Sequence, residues 1–438
     1  MSDQPDTSEG NGEVTGRYLI FFHPEALSDT ANMAFNVAGI TMPGTAEEAE
    51  AATISGEWRE MNTMVVPSLG VAVSDMPPEQ ISRLETGGPS PIRYIRPEYV
   101  FRIAADNEEF DELSISPAYV RGYQAGVDNL VSHLLEQGRE SSETEIEAET
   151  SFRDTDFFTW GLQATGVDQS AFTGQGVRVA VLDTGFDSEH PDFTTREVVS
   201  QSFIAGINSA RDDNGHGTHC LGTVGGPRVS SLGPRYGIAS EAQLFVGKVM
   251  KANGKGNEGD ILHGIGWAIQ NKCRVVSLSL GKQVLASAAP DKLYEEIGGI
   301  ALQKNCLLVA AAGNDSSRPG EIDPVNMPAN SRTVMAVGAI DRRLKLYVKS
   351  NGGLNPDGGN VDLAGPGVDV RSSKIFPPHF GNATGTSMAT PHVAGIAALM
   401  MQADPAATAE QIWARLMQNA QTLDLLSRDV GKGLVKAI

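Results

Sequence analysis

Apolar residues recur along this chain in two rhythms. From about Asp154 to the end, short continuous apolar runs alternate with longer stretches at helical spacing. The runs Val177–Asp183, Ala242–Met250, Arg274–Leu280, Cys306–Ala312 and Thr333–Ile340 predict strands. Helices are predicted over Asn257–Asn271, Asp291–Lys304, Thr386–Gln402 and Thr408–Leu423. Strands without a polar face, separated by helices, are what a parallel sheet covered on both sides requires, so the fold class is α/β. Upstream the rhythm is that of a small α+β module. Strands are predicted at Arg17–Phe22 and Leu69–Ser74, a short helix at Pro78–Glu85 with proline in its first turn, and an extended run at Ile92–Ile103. Glu25–Met64 is less regular.

Between these parts, Tyr119, Tyr123, Val127, Leu130, Leu134 and Leu135 keep helical spacing within Pro117–Gly138. Glu140–Ser151 follows with low hydrophobicity and dense like charge, as a linker does. Residues 1–16 read as a disordered tail. The expected organisation is a tail (1–16), a small module (17–104), an acidic helix and linker (105–153) and a large α/β domain (154–438).

Charge sharpens this picture. The 438 residues carry 54 acidic and 34 basic side chains, a net charge of −20, which repels phosphate backbones and argues against nucleic acid as a partner. From Asp106 to Asp156 there are 14 acidic and only 3 basic residues, so much of the excess sits in the linking segment. The longest uninterrupted apolar stretch, Val393–Met401, is nine residues, under half of what a membrane span needs. Cys220, Cys273 and Cys306 cannot all pair and sit in apolar stretches, as small buried thiols do. The first sixteen residues lack the basic start and apolar block of a secretory leader. A cytoplasmic location is therefore expected, with secretion open if the sequence has been trimmed.

Three segments put unusual residues where an open parallel sheet gathers its chemistry, beyond the carboxyl ends of its strands. In AVLDTGFD, Asp183 ends an apolar strand, where a carboxylate is costly to bury without a partner. In NGHGTHCLGTVGG, Gly215 and Gly217 flank His216 at a turn into a helix. His216, His219 and Cys220 crowd together there, but without the spacing of a zinc motif, so no metal is expected. In ATGTSMATPHVAGIAALMM, Ser387 opens a long apolar helix with Pro391 in its first turns. Alone, such a serine is a helix cap; the same position also offers free N–H groups to an oxyanion.

Aspartate, histidine and serine in that order, each in a glycine-flanked turn, resemble the subtilisin-like serine proteases over Trp160–Ile438, 279 of the 438 positions. VAAAGND and VGKGLVKA resemble further segments of the family, and HGTHC is similar to its proteinase K branch, where that cysteine lies under the histidine. The resemblance implies a serine endopeptidase that needs no cofactor for its chemistry. Asp183, His216 and Ser387 would be its triad, with the side-chain amide of Asn314 and the Ser387 N–H as oxyanion donors. Gly254, Lys255 and Gly256, and Ser279, Leu280 and Gly281, would be two cleft edges pairing with an extended peptide or unfolded protein. Ala311, Ala312 and Gly313 would line the main pocket with the loop Asp315–Asn326, where Asp315, Glu321 and Asp323 set against Arg318 hint at basic side chains. The segment Gly225–Ala239 lacks the Asn-rich loop with which many relatives hold calcium, so a structural calcium is unsupported there. Asn351–Asn360 is a Gly/Asn-rich insert that reads as a flexible surface turn.

Arg17–Ala104 resembles the family's propeptide domain, a small ferredoxin-like α+β unit that assists folding and then inhibits the protease with its last residues in the cleft. That resemblance implies self-cleavage near Ala104–Ala105.

Two other readings compete. GKGNEG (Gly254–Gly259) matches the dinucleotide fingerprint, but it does not follow the first strand and the next strand ends without the acid that would hold a ribose. A catalytically retired subtilisin-fold binding or scaffold protein would keep the fold and lose the chemistry; the presence of all three triad residues and Asn314 argues against it. The acidic segment is longer than a link to the cleft requires, which suggests a second regulatory element. Deleting Asp106–Thr150 should change the activation rate or the basal activity, and unchanged values of both would refute that role.

Overall fold

Two main sheets organise the described residues, 12–23, 63–75, 92–104, 151–355 and 357–438 of a computed structural model. The first sheet contains β1 (Val14–Phe22), β2 (Thr63–Val66), β3 (Val71–Ser74) and β4 (Ile92–Ile103), antiparallel in the order β4-β1-β3-β2. Strand β1 takes in the last three residues of the expected tail, because Val14 pairs with Tyr99 and Thr15 bonds Glu98. Strand β2 falls where the sequence pattern is weakest. The predicted helices at 78–85 and 117–138, the linker from 140 and most of 25–64 lie outside the described residues.

The second part opens with helix α1 (Trp160–Thr165), followed by β5 (Arg178–Asp183), β6 (Val198–Ser202), α2 (His216–Gly225) and β7 (Gln243–Lys248). Next come β8 (Lys255–Asn257), α3 (Glu258–Gln270), β9 (Val275–Leu278), β10 (Leu280–Gly281), α4 (Lys292–Gln303) and β11 (Leu307–Ala311). The chain ends through β12 (Met335–Ile340), β13 (Leu363–Pro366), the hairpin β14 (Val370–Ser373) and β15 (Phe380–Ala383), α5 (Thr386–Ala403), α6 (Ala409–Asn419) and α7 (Ser427–Val430).

Seven of these strands form the expected parallel sheet, ordered β13-β12-β11-β9-β5-β7-β6. From β5 the chain goes to the β6 edge and returns through β7, then crosses to β9 on the other side of β5 and runs outward through β11, β12 and β13. That reversal opens a crevice beyond the carboxyl end of β5, where Asp183 sits. The predicted strands are present, trimmed by a residue or two. The edge strands were missed for separate reasons: β6 is only partly buried, and β13 contains Gly365 and Pro366, which read as turn residues and are tolerated at an edge. Helix α6 stops at Asn419, before the predicted Leu423, because Gln421 pairs with Leu434 in both directions.

Helix α5 runs through the core with nearly every side chain buried, which explains why its sequence shows no polar stripe. It lies against α2, and a methyl group added at Gly395 would stand 2.6 Å from Ile238 Cβ and 3.1 Å from the Val224 carbonyl. On the other face, Ile261, Leu262 and Ile265 of α3 share one core with Leu19, Phe21, Val66, Val71 and Val73 of the first sheet. The packing at Gly395 leads to a direct expectation. Gly395→Ala should lower the unfolding free energy by about 1–3 kcal/mol in urea titration, the usual cost of overpacking, and no loss would show that the helices can separate.

Candidate active site

Asp183 reaches the crevice as the last residue of a strand buried from Val179 onward. One carboxylate oxygen accepts the Thr184 N–H at 2.7 Å and the other has no partner among the described residues. His216 is the first residue of α2, and its Nδ1 lies 2.7 Å from Asp183 Oδ1. Gly215 caps that helix at φ 101°, and a Cβ on Gly217 would fall 2.3 Å from the Gly185 carbonyl, so only glycine lets the two turns meet.

Asp212, which no sequence motif singled out, ties these turns together. Its oxygens accept Thr184 Oγ1 at 2.8 Å, the N–H groups of Asn214 and Gly215 at 3.0 and 2.9 Å, and Thr218 N and Oγ1 at 2.8 and 2.6 Å. Burial pushes this carboxyl up, but the donors of Gly215, Thr218 and Asn214 outweigh it and hold it below its ordinary value. An acid at a helix N-terminus was the available signal, and it is too common to be read alone.

His216 is pulled in two directions. Burial disfavours the charged imidazole, yet the adjacent Asp183 carboxylate prevails and raises its pKa well above the ordinary value. Its Nε2 is buried with no hydrogen-bond partner among the described residues. Cys220 Sγ lies 3.8 Å from His216 Nδ1 and 3.6 Å from the Ser387 carbonyl, packed beneath both. His219, the other member of the crowded trio, turns away to the Val370 carbonyl at 2.9 Å.

Ser387 is the second residue of α5. Its hydroxyl donates to the Ser279 carbonyl at 3.0 Å, and the Ser279 hydroxyl donates back to the Ser387 carbonyl at 2.8 Å. That carbonyl is free because Pro391, four residues on, has no N–H to give it. Of the three expected residues, Asp183 and His216 are hydrogen-bonded, while the serine hydroxyl is turned to Ser279.

The cleft is filled by the chain's own β4. Arg102 and Phe101 pair with Lys255 and Gly256, and Ile103 and Arg102 pair with Leu280 and Gly281, all antiparallel. The Ile103 N–H donates to the Gly254 carbonyl at 3.0 Å and the Ala104 N–H to the Ser279 carbonyl at 3.1 Å. The Ala104 carbonyl accepts Asn314 Nδ2 at 2.5 Å and Ser387 N at 3.1 Å. Thr386 fixes the Asn314 amide, giving both its N–H and its hydroxyl to Oδ1 at 2.9 Å. Ala105 lies outside the described residues.

Ala311 ends β11, Ala312 accepts the Asn326 N–H, and the Gly313 carbonyl accepts the Asn351 N–H at 3.0 Å. Asp315 takes amide donors from Gln283, Asn326 and Asn351 at 2.6, 2.7 and 2.8 Å. Arg318, the one base of this loop, is bonded to Asp429 at 2.6 Å. Asp315 is satisfied by amides, which weakens the hint of a pocket for basic side chains. Asn351, predicted to begin a flexible surface turn, is instead fully buried in this network.

The profile of the subtilase family matches residues 174–433. The chain is 38% identical over 282 residues to subtilisin Savinase of Lederbergia lenta, covering 64% of this chain and 96% of that protein. It is 38% identical over 282 residues to an alkaline protease of Shouchella clausii, covering 64% and 68%. It is also 32% identical over 339 residues to the minor extracellular protease Epr of Bacillus subtilis (strain 168), covering 76% and 48%. The chain belongs to the subtilase family. It is a serine endopeptidase of the subtilisin type acting on peptide substrates, and its family needs no cofactor for the chemistry. A relative named for its extracellular action overturns the expected cytoplasmic location, since the composition of sixteen residues does not decide a compartment. No helix among the described residues is long and apolar enough to cross a membrane.

The Asp183–His216 pair carries a pH signature. An unfolded imidazole titrates near 6.5 and the folded one well above, so the pair's contribution is complete below 6.5 and is lost as pH rises through the folded value. In a Ser387→Ala chain, kept from digesting itself, adding Asp183→Asn should lower the melting temperature most below pH 6.5. The deficit should shrink as pH rises; a deficit independent of pH would count against the pairing.

Proposed function

We propose that Asp183, His216 and Ser387 act as a catalytic triad and that the chain is a self-processing proenzyme cut between Ala104 and Ala105. The Ser387 hydroxyl, swung from the Ser279 carbonyl toward His216 Nε2, gives its proton to the imidazole as Oγ bonds to the scissile carbon. Asp183 holds the tautomer in which Nε2 is free to accept and stabilises the imidazolium that forms. Asn314 Nδ2 and the Ser387 N–H receive the oxyanion. The carbon–nitrogen bond then breaks, the imidazolium protonates the departing amine, and water releases the acyl group by the same steps in reverse.

The observation that best supports this reading is the Ala104 carbonyl, held by two donors at the N-terminal turn of α5 with its strand paired on both sides. Any extended segment can make those backbone bonds, so an extended polypeptide is the substrate and residues 17–104 are an intramolecular inhibitor. The strand remaining in place after cleavage blocks substrates until it leaves.

In the test, the parent chain yields a new N-terminus at Ala105 and its Ser387 reacts with a fluorophosphonate probe. Ser387→Ala stays intact and unlabelled. Asn314→Ala should lower kcat by ~10²–10³, the size of the equivalent loss in subtilisin itself. Cleavage elsewhere, or labelling that survives Ser387→Ala, would defeat the assignment.

A further inference from the structure

Strand β4 reaches past the cleft to a second charged contact. Arg96 lies eight residues before Ala104, and its guanidinium forks onto Glu258, the first residue of α3. Nη1 donates to Oε2 at 2.8 Å and Nη2 to Oε1 at 2.7 Å. Asp291 stands 3.5 Å from the same guanidinium, and the Tyr99 ring lies 4.9 Å from its carbon. Glu258 is fully buried and also accepts the Tyr99 N–H at 3.1 Å.

This contact is built for a guanidinium. A carboxylate is costly to bury unless its partner answers both oxygens, and a planar fork does so where a lysine ammonium offers a point charge. Burial lifts the Glu258 carboxyl above its ordinary value, and the Arg96 guanidinium beside it works against that shift. Asp260 does not compete. Burial pushes it up to about 8, and its closest cation is Arg17, at 3.9 Å. Glu258 and Asp291 lie within the residues that match the protease family, whereas Arg96 belongs to the strand that leaves. Glu258 also directly follows β8, a cleft edge.

We propose that Glu258 and Asp291 form a remote subsite on the protease for an arginine that an extended polypeptide carries eight residues before the scissile carbonyl. The inference rests on the proteolytic reading of the cleft and adds a substrate class: extended chains with an arginine far upstream of the cut, in preference to short peptides.

The test uses the full chain, left to process itself until its hydrolysis of Phe-Arg-Ile-Ala p-nitroanilide is steady. The nonapeptide anilide Arg-Pro-Glu-Tyr-Val-Phe-Arg-Ile-Ala is compared with versions beginning in Lys or Ala. The arginine peptide should show kcat/KM about tenfold or more above the alanine peptide, with lysine between, as expected for a charge-assisted bidentate contact. In Glu258→Gln the ratio of arginine to alanine peptide should fall toward one. Equal hydrolysis of the arginine and alanine peptides by the parent, or an arginine preference that survives Glu258→Gln, would overturn the subsite. If the variant fails to fold or mature, the three peptides on the parent still decide. Absence of tetrapeptide turnover by the parent would overturn the proteolytic reading itself, and the subsite with it.

Discussion

Much of the site geometry depends on one carbonyl group. The oxygen of Ala104 is held between Asn314 Nδ2 and Ser387 N, and both donors are themselves fixed. The amide cannot flip while Thr386 gives two hydrogen bonds to its oxygen. The Ser387 N–H belongs to the first turn of a helix, where no intrahelical acceptor exists and a ligand oxygen can take its place. Backbone pairing with Lys255–Gly256 and Leu280–Gly281 then sets the strand in register, and the register delivers that carbonyl and no other.

Burial and charge oppose each other throughout this region, and the outcome differs from residue to residue. At Asp212 five donor contacts prevail over desolvation, and the carboxyl titrates low. At Asp260 burial prevails over the Arg17 guanidinium at 3.9 Å and pushes the carboxyl up to about 8. Glu98 shows a third arrangement, in which Arg17 binds both oxygens and the Gly259 N–H donates at 2.8 Å. A carboxylate of the N-terminal strand thus serves the first turn of α3, a helix on the other side of the contact.

The sequence was most informative where physics is local. Continuous apolar runs revealed the parallel strands, and three glycine-flanked polar residues marked the crevice. What it concealed was set by tertiary contact. Gly365 and Pro366, residue types common in turns, close an edge strand, and Asn351, read as surface, lies buried in an amide network. The Ser387 hydroxyl orientation was equally hidden, because it depends on the Ser279 carbonyl, between β9 and β10 and more than a hundred residues away. Glu258 appeared in the glycine-rich segment only as a residue of a failed nucleotide motif; its meaning comes from Arg96, 162 positions earlier.

Pro391 shows how an apparent flaw in a helix becomes a positioning device. A complete α5 would spend the Ser387 carbonyl on an internal rung; with that rung missing, the oxygen recruits the Ser279 hydroxyl and the Cys220 thiol from two other elements. Ser387 is thereby pinned to Ser279 and to the histidine helix at once through its main chain, while its hydroxyl holds a separate bond to the Ser279 carbonyl. Main chain and side chain of a single residue are thus anchored by different groups, through the absence of one hydrogen atom.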